Sequence, residues 1–299
     1  MFDYKLLTAL EAVVKAGSFD KAAALLCITP SAVSQRIRQL EERTGQLLLI
    51  RSLPVRATAA GHRLLRHVRQ VALLEEDLQQ ELQGEAEGGL TPLPVGVNAD
   101  SLGTWLLPAV AKVVWRERFV LQAIVDDEAH THDLLRSGEV VGCVTSHPQP
   151  PTGCISQPLG QMRYRFYATP DFVRNHLPDG LTREAVLATP GIAFNRKDSL
   201  HFGQMEARFG LRLGDYPYLT MPSTHALFEA VKAGLGYGLS PELQVGEALA
   251  SGEVIDLLPD DPPSVSLFWH GWALQSPRLA RFTATLVAEA RQRLRLRGG

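Results

Sequence analysis

The stretch AALLCITPSAVSQRIRQLEERTGQLLLIR, residues 23–51, decides how the first part of this chain folds. Thr29 is a good N-cap and Pro30 a good first helical residue, so a helix begins there. It is predicted to run to about Arg43 and to stop before Gly45. Val33, Ile37 and Leu40 recur at i, i+4 and i+7 and share one face that can be buried. Ser31, Ser34, Gln35 and Arg38 share the opposite face, with no carboxylate among them; Glu41 and Glu42 come only at the far end. Hydroxyls, an amide and a guanidinium near a helix N-terminus suit base edges in a major groove. An ordinary solvated face is the plainer alternative.

Upstream, Leu6, Leu10 and Val13, with Leu7 and Val14 beside them, mark a helix that Gly17 ends. Ser18 can cap a second helix, Phe19 to Leu26, with Ala22, Ala23 and Leu26 inward and Asp20 in its first turn. Cys27 and Ile28 form a short turn. Downstream, the apolar run Leu47 to Ile50 is followed by Arg51 and Arg56 flanking Pro54, a wing whose arginines would lie near phosphates or the minor groove. Together these make a winged helix-turn-helix. With Thr58 and Gly61 beyond it, the stretch resembles the DNA-binding domain of LysR-type transcriptional regulators. Ser31, Ser34, Gln35 and Arg51 match that family's usual contact positions; Arg38 and Arg56 are added from geometry. Many members carry glutamine where this chain has Pro30.

Residues 1–70 hold eleven Lys/Arg against five Asp/Glu, and residues 71–90 hold six acids and no base, so the net charge of −2 hides a basic head. A basic head on a near-neutral body suggests one module for a polyanion and another for something else. From Ala59 to about Glu85 there is no proline. Leu64, Val68, Val71, Leu78 and Leu82 form a stripe that Glu75 interrupts, which predicts a long amphipathic connector helix. On spacing alone it serves equally as a helix packed on its own domain. The resemblance implies dimerisation through it, which would pair two recognition helices on a partly palindromic operator. Gly84 to Gly89 is read as a hinge.

Residues 90–299 alternate short apolar runs with helical stretches, an α/β pattern. Strands are expected at 93–97, 121–125, 140–145, 166–168, 191–194, 237–240 and 267–269, with helices over 101 to about 116 and over 278–296. The fold class expected is therefore an all-α winged helix-turn-helix domain (1–58), a linker helix and hinge (59–89), and an α/β effector domain (90–299). Two halves (90–164 with 266–299, and 165–265) resemble the family's periplasmic-binding-protein-like domain, whose effectors sit in the cleft between halves. VNADSLGTWLLPA, VDDEAHTHDLLRSGEVVGCVT, LGQMRY and SGEVIDL before LFWHGW are similar to one branch, the lysine/arginine-responsive regulators of basic amino-acid export.

A basic amino acid needs an anion site and an acidic site. Asn98, Asp100 and Ser101 end a strand and start a helix whose free amides can hold a carboxylate, and Asp100 could hold the α-ammonium. Ser223 and Thr224 form a second such junction. Asp126, Asp127 and Glu128 could pair with an ammonium or guanidinium, and Thr145 ends a strand. Helix capping and simple solvation are the alternatives for these groups.

Other signals are set aside. His130 and His132 lie at i, i+2, off one helical face, which disfavours a metal. Gly234-Leu-Gly236-Tyr-Gly238 precedes a strand instead of following one. Ser240 lacks the glycine of a nucleophile elbow. Cys27, Cys143 and Cys154 give no disulfide framework or zinc pattern, and Cys27 and Cys143 are expected to pack as small hydrophobes. At 299 residues and 45% apolar, the chain has material for a sizeable core and none of the marks of disorder. No apolar run reaches the ~18–20 residues that span a bilayer.

The expected protein is a cytoplasmic, homodimeric or homotetrameric regulator, not an enzyme, without cofactor, sensing L-lysine or L-arginine. Its partners would be double-stranded operator DNA, a second copy of itself and RNA polymerase, with no membrane. Two alternatives stay open: a LysR-type regulator of an acidic or aromatic metabolite, and an enzyme or solute-binding domain fused to a DNA-binding head.

Overall fold

The computed structural model describes residues 2–83, 89–125 and 128–294, with the side chains of 83 and 128–130 outside that description. Three helices, Tyr4–Ala16, Phe19–Leu26 and Pro30–Thr44, build the head. Local chemistry sets their ends. The Asp3 carboxylate accepts the Lys5 N–H at 2.9 Å, Gly17 turns the first helix off at φ 64°, and Thr29 Oγ1 accepts the Ala32 N–H at 3.2 Å. Leu6, Leu10, Val13, Ala22, Ala23, Val33, Ile37 and Leu40 are buried together. Each large side chain so buried contributes about 1.5–3 kcal/mol.

The head is not wholly helical. Leu49–Ile50 pairs antiparallel with Arg56–Ala57, a two-stranded wing. The Glu41 carboxylate anchors it by accepting the Leu48 N–H at 2.8 Å, and Thr58 Oγ1 donates to the Leu47 carbonyl at 2.7 Å. Gly61 passes so close that a Cβ there would lie 2.2 Å from the Leu48 carbonyl oxygen, so the crossing of wing and connector needs glycine. Cys27 departs from expectation. It is exposed, at φ 53°, because it forms the left-handed end of the second helix and turns away from the core. Cys143 is fully buried.

The connector is one helix, Ala59–Gln83. Its stripe divides along its length: Leu64 and Leu65 join the head core, Val68 and Val71 are half-buried, and Leu78 and Leu82 are 54% and 78% exposed. The hinge expected at Gly84 to Gly89 falls largely outside the described residues.

The body carries a nine-stranded sheet. Its path runs Phe119–Val125, Thr91–Val97, Gly142–Thr145, Ser264–Trp272, Cys154–Ala168, Tyr237–Pro241, Gly191–Ala193, Tyr218–Thr220, with Ile255–Asp256 on the side. The first three strands are mutually parallel and form a near half; the last three of that path form a far half. Cys154–Ala168 and Ser264–Trp272, paired antiparallel from Trp272↔Cys154 to Ser264↔Arg163, link the two. This is a periplasmic-binding-protein-like α/β fold.

The sequence pattern placed only 166–168 of the fifteen-residue strand Cys154–Ala168. Pro158 and Gly160 hide its start, and the strand tolerates them where its pairing with Ser264–Trp272 shifts register. The expected helix at 101–116 is a continuous helical run, Ala99–Ser101, Leu102–Leu106 and Leu107–Arg116, whose middle segment is a π-turn. Among the described residues no helix is long and apolar enough to cross a membrane.

Candidate functional site

On the recognition helix Pro30–Thr44, burial of Val33, Ile37 and Leu40 turns the other face outward. Ser31, Gln35 and Arg38 are exposed and Ser34 is half-buried beside them. Ser31 Oγ lies 2.9 Å from Thr29 Oγ1, so the hydroxyl is held at the first turn. Arg56 is exposed on the second wing strand, and exposed Arg51 follows the first, its guanidinium 6.0 Å from the Phe19 ring centroid. The helix face and both wing arginines therefore belong to one compact head.

The second site is a cleft of about 1030 Å³ between the two halves of the body. Asn98, Asp100 and Ser146 line it from the near half, Phe194, Asp198, Thr224 and Ser240 from the far half, and Tyr164 from the linking strand between them. Strand ends and helix starts converge here because the parallel strands of both halves point into it. Asn98 caps its helix by accepting the Ser101 N–H at 3.0 Å, which leaves Asp100 in the first turn facing the cavity. Tyr164 donates to Asp100 Oδ2 at 2.8 Å. Burial pushes the Asp100 carboxyl above the usual carboxylate range; the Tyr164 hydroxyl opposes this, and the Asp198 charge across the cleft adds to it.

The Asp198 carboxylate is pinned by two backbone donors, accepting the His201 N–H and the Phe194 N–H, each at 2.9 Å. Arg196 and Lys197 stand exposed on the same loop at the rim. Two acids within and two bases at the mouth suit a ligand carrying both signs of charge. The walls come close at Gly103, in the π-turn, where a Cβ would sit 3.2 Å from Thr224 Oγ1.

Several residues expected at this site lie elsewhere. Ser101 is fully buried and is not among the lining residues. Thr145 is buried too, its hydroxyl accepting the His147 N–H at 3.2 Å, and the next residue, Ser146, reaches the cleft instead. Ser223 is not among the lining residues; its Oγ caps the helix Thr224–Lys232 by accepting the Ala226 N–H at 3.3 Å. Asp126 and Asp127 lie outside the described residues, as does the side chain of Glu128, which starts a helix. Tyr164 and the loop 194–198 were missed as contacts. Tyr164 sat within a stretch already singled out, whereas Asp198 offered only an ordinary helix-capping signal.

His132 lies with its ring centroid 5.1 Å from those of both His147 and His270. Burial first, then the neighbouring His132, lowers the His270 pKa to about 4. Among the described residues no three His, Cys, Asp or Glu side chains are arranged to hold a metal ion.

Residues 4–62 match the model of the bacterial regulatory helix-turn-helix protein, lysR family, and residues 90–291 that of the LysR substrate binding domain. The chain belongs to the LysR family. It is a DNA-binding regulator of the LysR type by both of its matched domains. The HTH-type transcriptional regulator ArgP of Aeromonas salmonicida is 43% identical over 292 residues, 98% of each chain. The crystal structure of ArgP from Mycobacterium tuberculosis matches with a TM-score of 0.87 at 39% identity, covering 99% of this chain and 100% of that one. Full-length LysG from Corynebacterium glutamicum, solved with bound effector Arg, matches with a TM-score of 0.82 at 37% identity, covering 97% and 99%.

Proposed function

We propose that this LysR-type regulator reads operator DNA through Ser31, Ser34, Gln35, Arg38, Arg51 and Arg56 and is switched by a basic amino acid, L-arginine or L-lysine. The observation that carries the second half is Asp100: a desolvated carboxylate, oriented by Tyr164, on the wall of a cleft that also holds Asp198. A cationic ligand would relieve the repulsion between these acids. Its carboxylate would meet the helix start at Thr224 or the rim cations Arg196 and Lys197. The relative solved with arginine bound supports the same class of ligand. The charge cluster Asp127 and Glu128 remains proposed as a further partner for the cation.

Binding in the cleft would favour closure of the halves, and only a ligand that prefers one arrangement can switch the protein. Exposed Leu78 and Leu82 offer the connector a second copy of the chain, in a dimer or tetramer. The setting proposed is the cytoplasm, with RNA polymerase as a further partner and basic amino-acid export as the regulated process; no enzymatic step is assigned.

Calorimetric titration of the full chain with arginine, lysine, aspartate and benzoate tests the effector. Saturable binding of the first two and none of the others is expected. Tighter binding of aspartate or benzoate overturns the basic-ligand reading. For DNA, Gln35→Ala should reduce discrimination between operator and altered sites by roughly 1–3 kcal/mol, whereas Arg51→Ala should weaken all sequences alike. In a gel-shift series over salt, the Arg51 variant loses roughly one unit of the log–log slope. An unchanged slope shows that Arg51 touches no phosphate.

A further inference from the structure

Among the described residues, Leu53 is the large apolar side chain most fully in solvent, at 92% exposure. It stands at the tip of the wing, in the loop 51–55 between the paired strands Leu49–Ile50 and Arg56–Ala57. A lone exposed leucine on a loosely held loop needs no explanation. This loop is fastened. Ser52 Oγ donates to the Pro54 carbonyl at 2.7 Å, closing the tip on itself. Pro54 packs on Gly17, where a Cβ would lie 2.9 Å from Pro54 Cβ. The Val55 N–H donates to the Gly17 carbonyl at 2.9 Å, and the Val55 side chain is buried in the head core. The tip is therefore clamped to the end of the first helix, and little of its freedom remains to be lost when a partner meets it.

The chemistry around the tip names the partner. Arg51 and Arg56, both exposed, stand two positions before Leu53 and three after it. No Asp or Glu occurs between Glu42 and Glu75. An apolar point between two cations, in a stretch without acids, suits a polyanion with an apolar interior: base pairs stacked inside a phosphate backbone.

We propose that Leu53 is an apolar wedge that enters the minor groove beside the major groove read by the helix Pro30–Thr44, parts one base step there and bends the operator. This rests on the reading of the head as a DNA binder. Arg51 and Arg56 hold the flanking phosphates, while the leucine adds an interaction that salt does not screen. Such a wedge costs least at pyrimidine–purine steps, which unstack and kink most easily. The wing thus reads deformability at about half a helical turn, ~5 base pairs, from the bases met by Ser31, Gln35 and Arg38.

In the test, the full chain selects duplexes from a random library, and the selected fragment, labelled at both ends, reports bending by energy transfer. The wild-type selection is expected to enrich a TA or CA/TG step at that offset, and the fragment to bend by roughly 20° or more. Leu53→Ala should lose both the step and the bend and bind about tenfold more weakly. The bases enriched under the recognition helix and the salt slope should stay as in wild type. Leu53→Met keeps an apolar side chain of similar volume and should retain step and bend. Because the Leu53 side chain is solvated in the free protein, both variants should melt as wild type does. An unchanged bend in Leu53→Ala overturns the proposal. So does a straight wild-type complex, or a loss of affinity that brings a reduced salt slope. Failure of the wild-type chain to enrich any duplex instead defeats the DNA-reading assignment itself.

Discussion

Asp77→Ala should destabilise the chain by about 3 kcal/mol, at the low end of what breaking a buried ion pair costs. Asp77 is 4% exposed and Arg278 6%. The carboxylate accepts the Arg278 backbone N–H at 3.1 Å and its Nη1 at 3.3 Å. Removing it strands a cation away from water, which is why the loss exceeds that of one hydrogen bond. It does not reach the top of the range because other acceptors stay in place. Nε and Nη2 both donate to the Glu117 carbonyl, Nε at 2.8 Å, and the guanidinium lies 4.5 Å from the Phe119 ring centroid.

In a thermal melt of the full chain the transition of the body should fall by roughly 6–12 °C. Replacing the pair together, Asp77→Leu with Arg278→Met, should recover part of this, because no lone charge is left behind. A single variant melting within about 2 °C of wild type would show that the pair is solvated and contributes like a surface ion pair.

Asp100→Asn is expected to weaken arginine binding by about 2–5 kcal/mol, the range for removing one member of a buried charge pair at an interface. That is a loss of roughly thirtyfold or more. Asparagine keeps the shape and an acceptor for the Tyr164 hydroxyl, so the change isolates charge. It also removes the repulsion from Asp198, and the empty protein should become slightly more stable while binding less. Opposite movement of affinity and stability is the signature of a residue strained for function; equal affinity in wild type and variant would remove Asp100 from the site.

The pH dependence follows with a definite sign. The carboxyl of Asp100 titrates above its ordinary range, so its ionisation opposes folding at neutral pH and that opposition fades as pH falls through the raised pKa. A cation needs the ionised form. Affinity for arginine should therefore fall with decreasing pH through the same window, and binding there should release protons, seen as calorimetric heats that change with the buffer.

The head was readable from sequence because every signal in it is local. Thr29, Pro30 and Gly45 punctuate a helix whose apolar positions repeat at one spacing, and each of these acts within a turn or two of itself. The same holds for the alternation of strands and helices in the body and for Asp100, which follows a strand and opens a helix. Cys27 failed that reading because an apolar neighbourhood in sequence does not say which side of a turn faces the core.

What the chain alone determined, then, is the three helices of the head, the connector helix and the α/β alternation of the body; strands such as Tyr218–Thr220 and most of Cys154–Ala168 escaped it. Tertiary structure alone decided which of them meet. Asp198 stands near Asp100 only because two long antiparallel strands bring the halves face to face, and Arg66 finds Gly138 and Gly153 only because the connector lies along the near half. Contacts between residues roughly seventy to a hundred positions apart depend on how whole elements pack, and no periodicity over a few turns of helix encodes that.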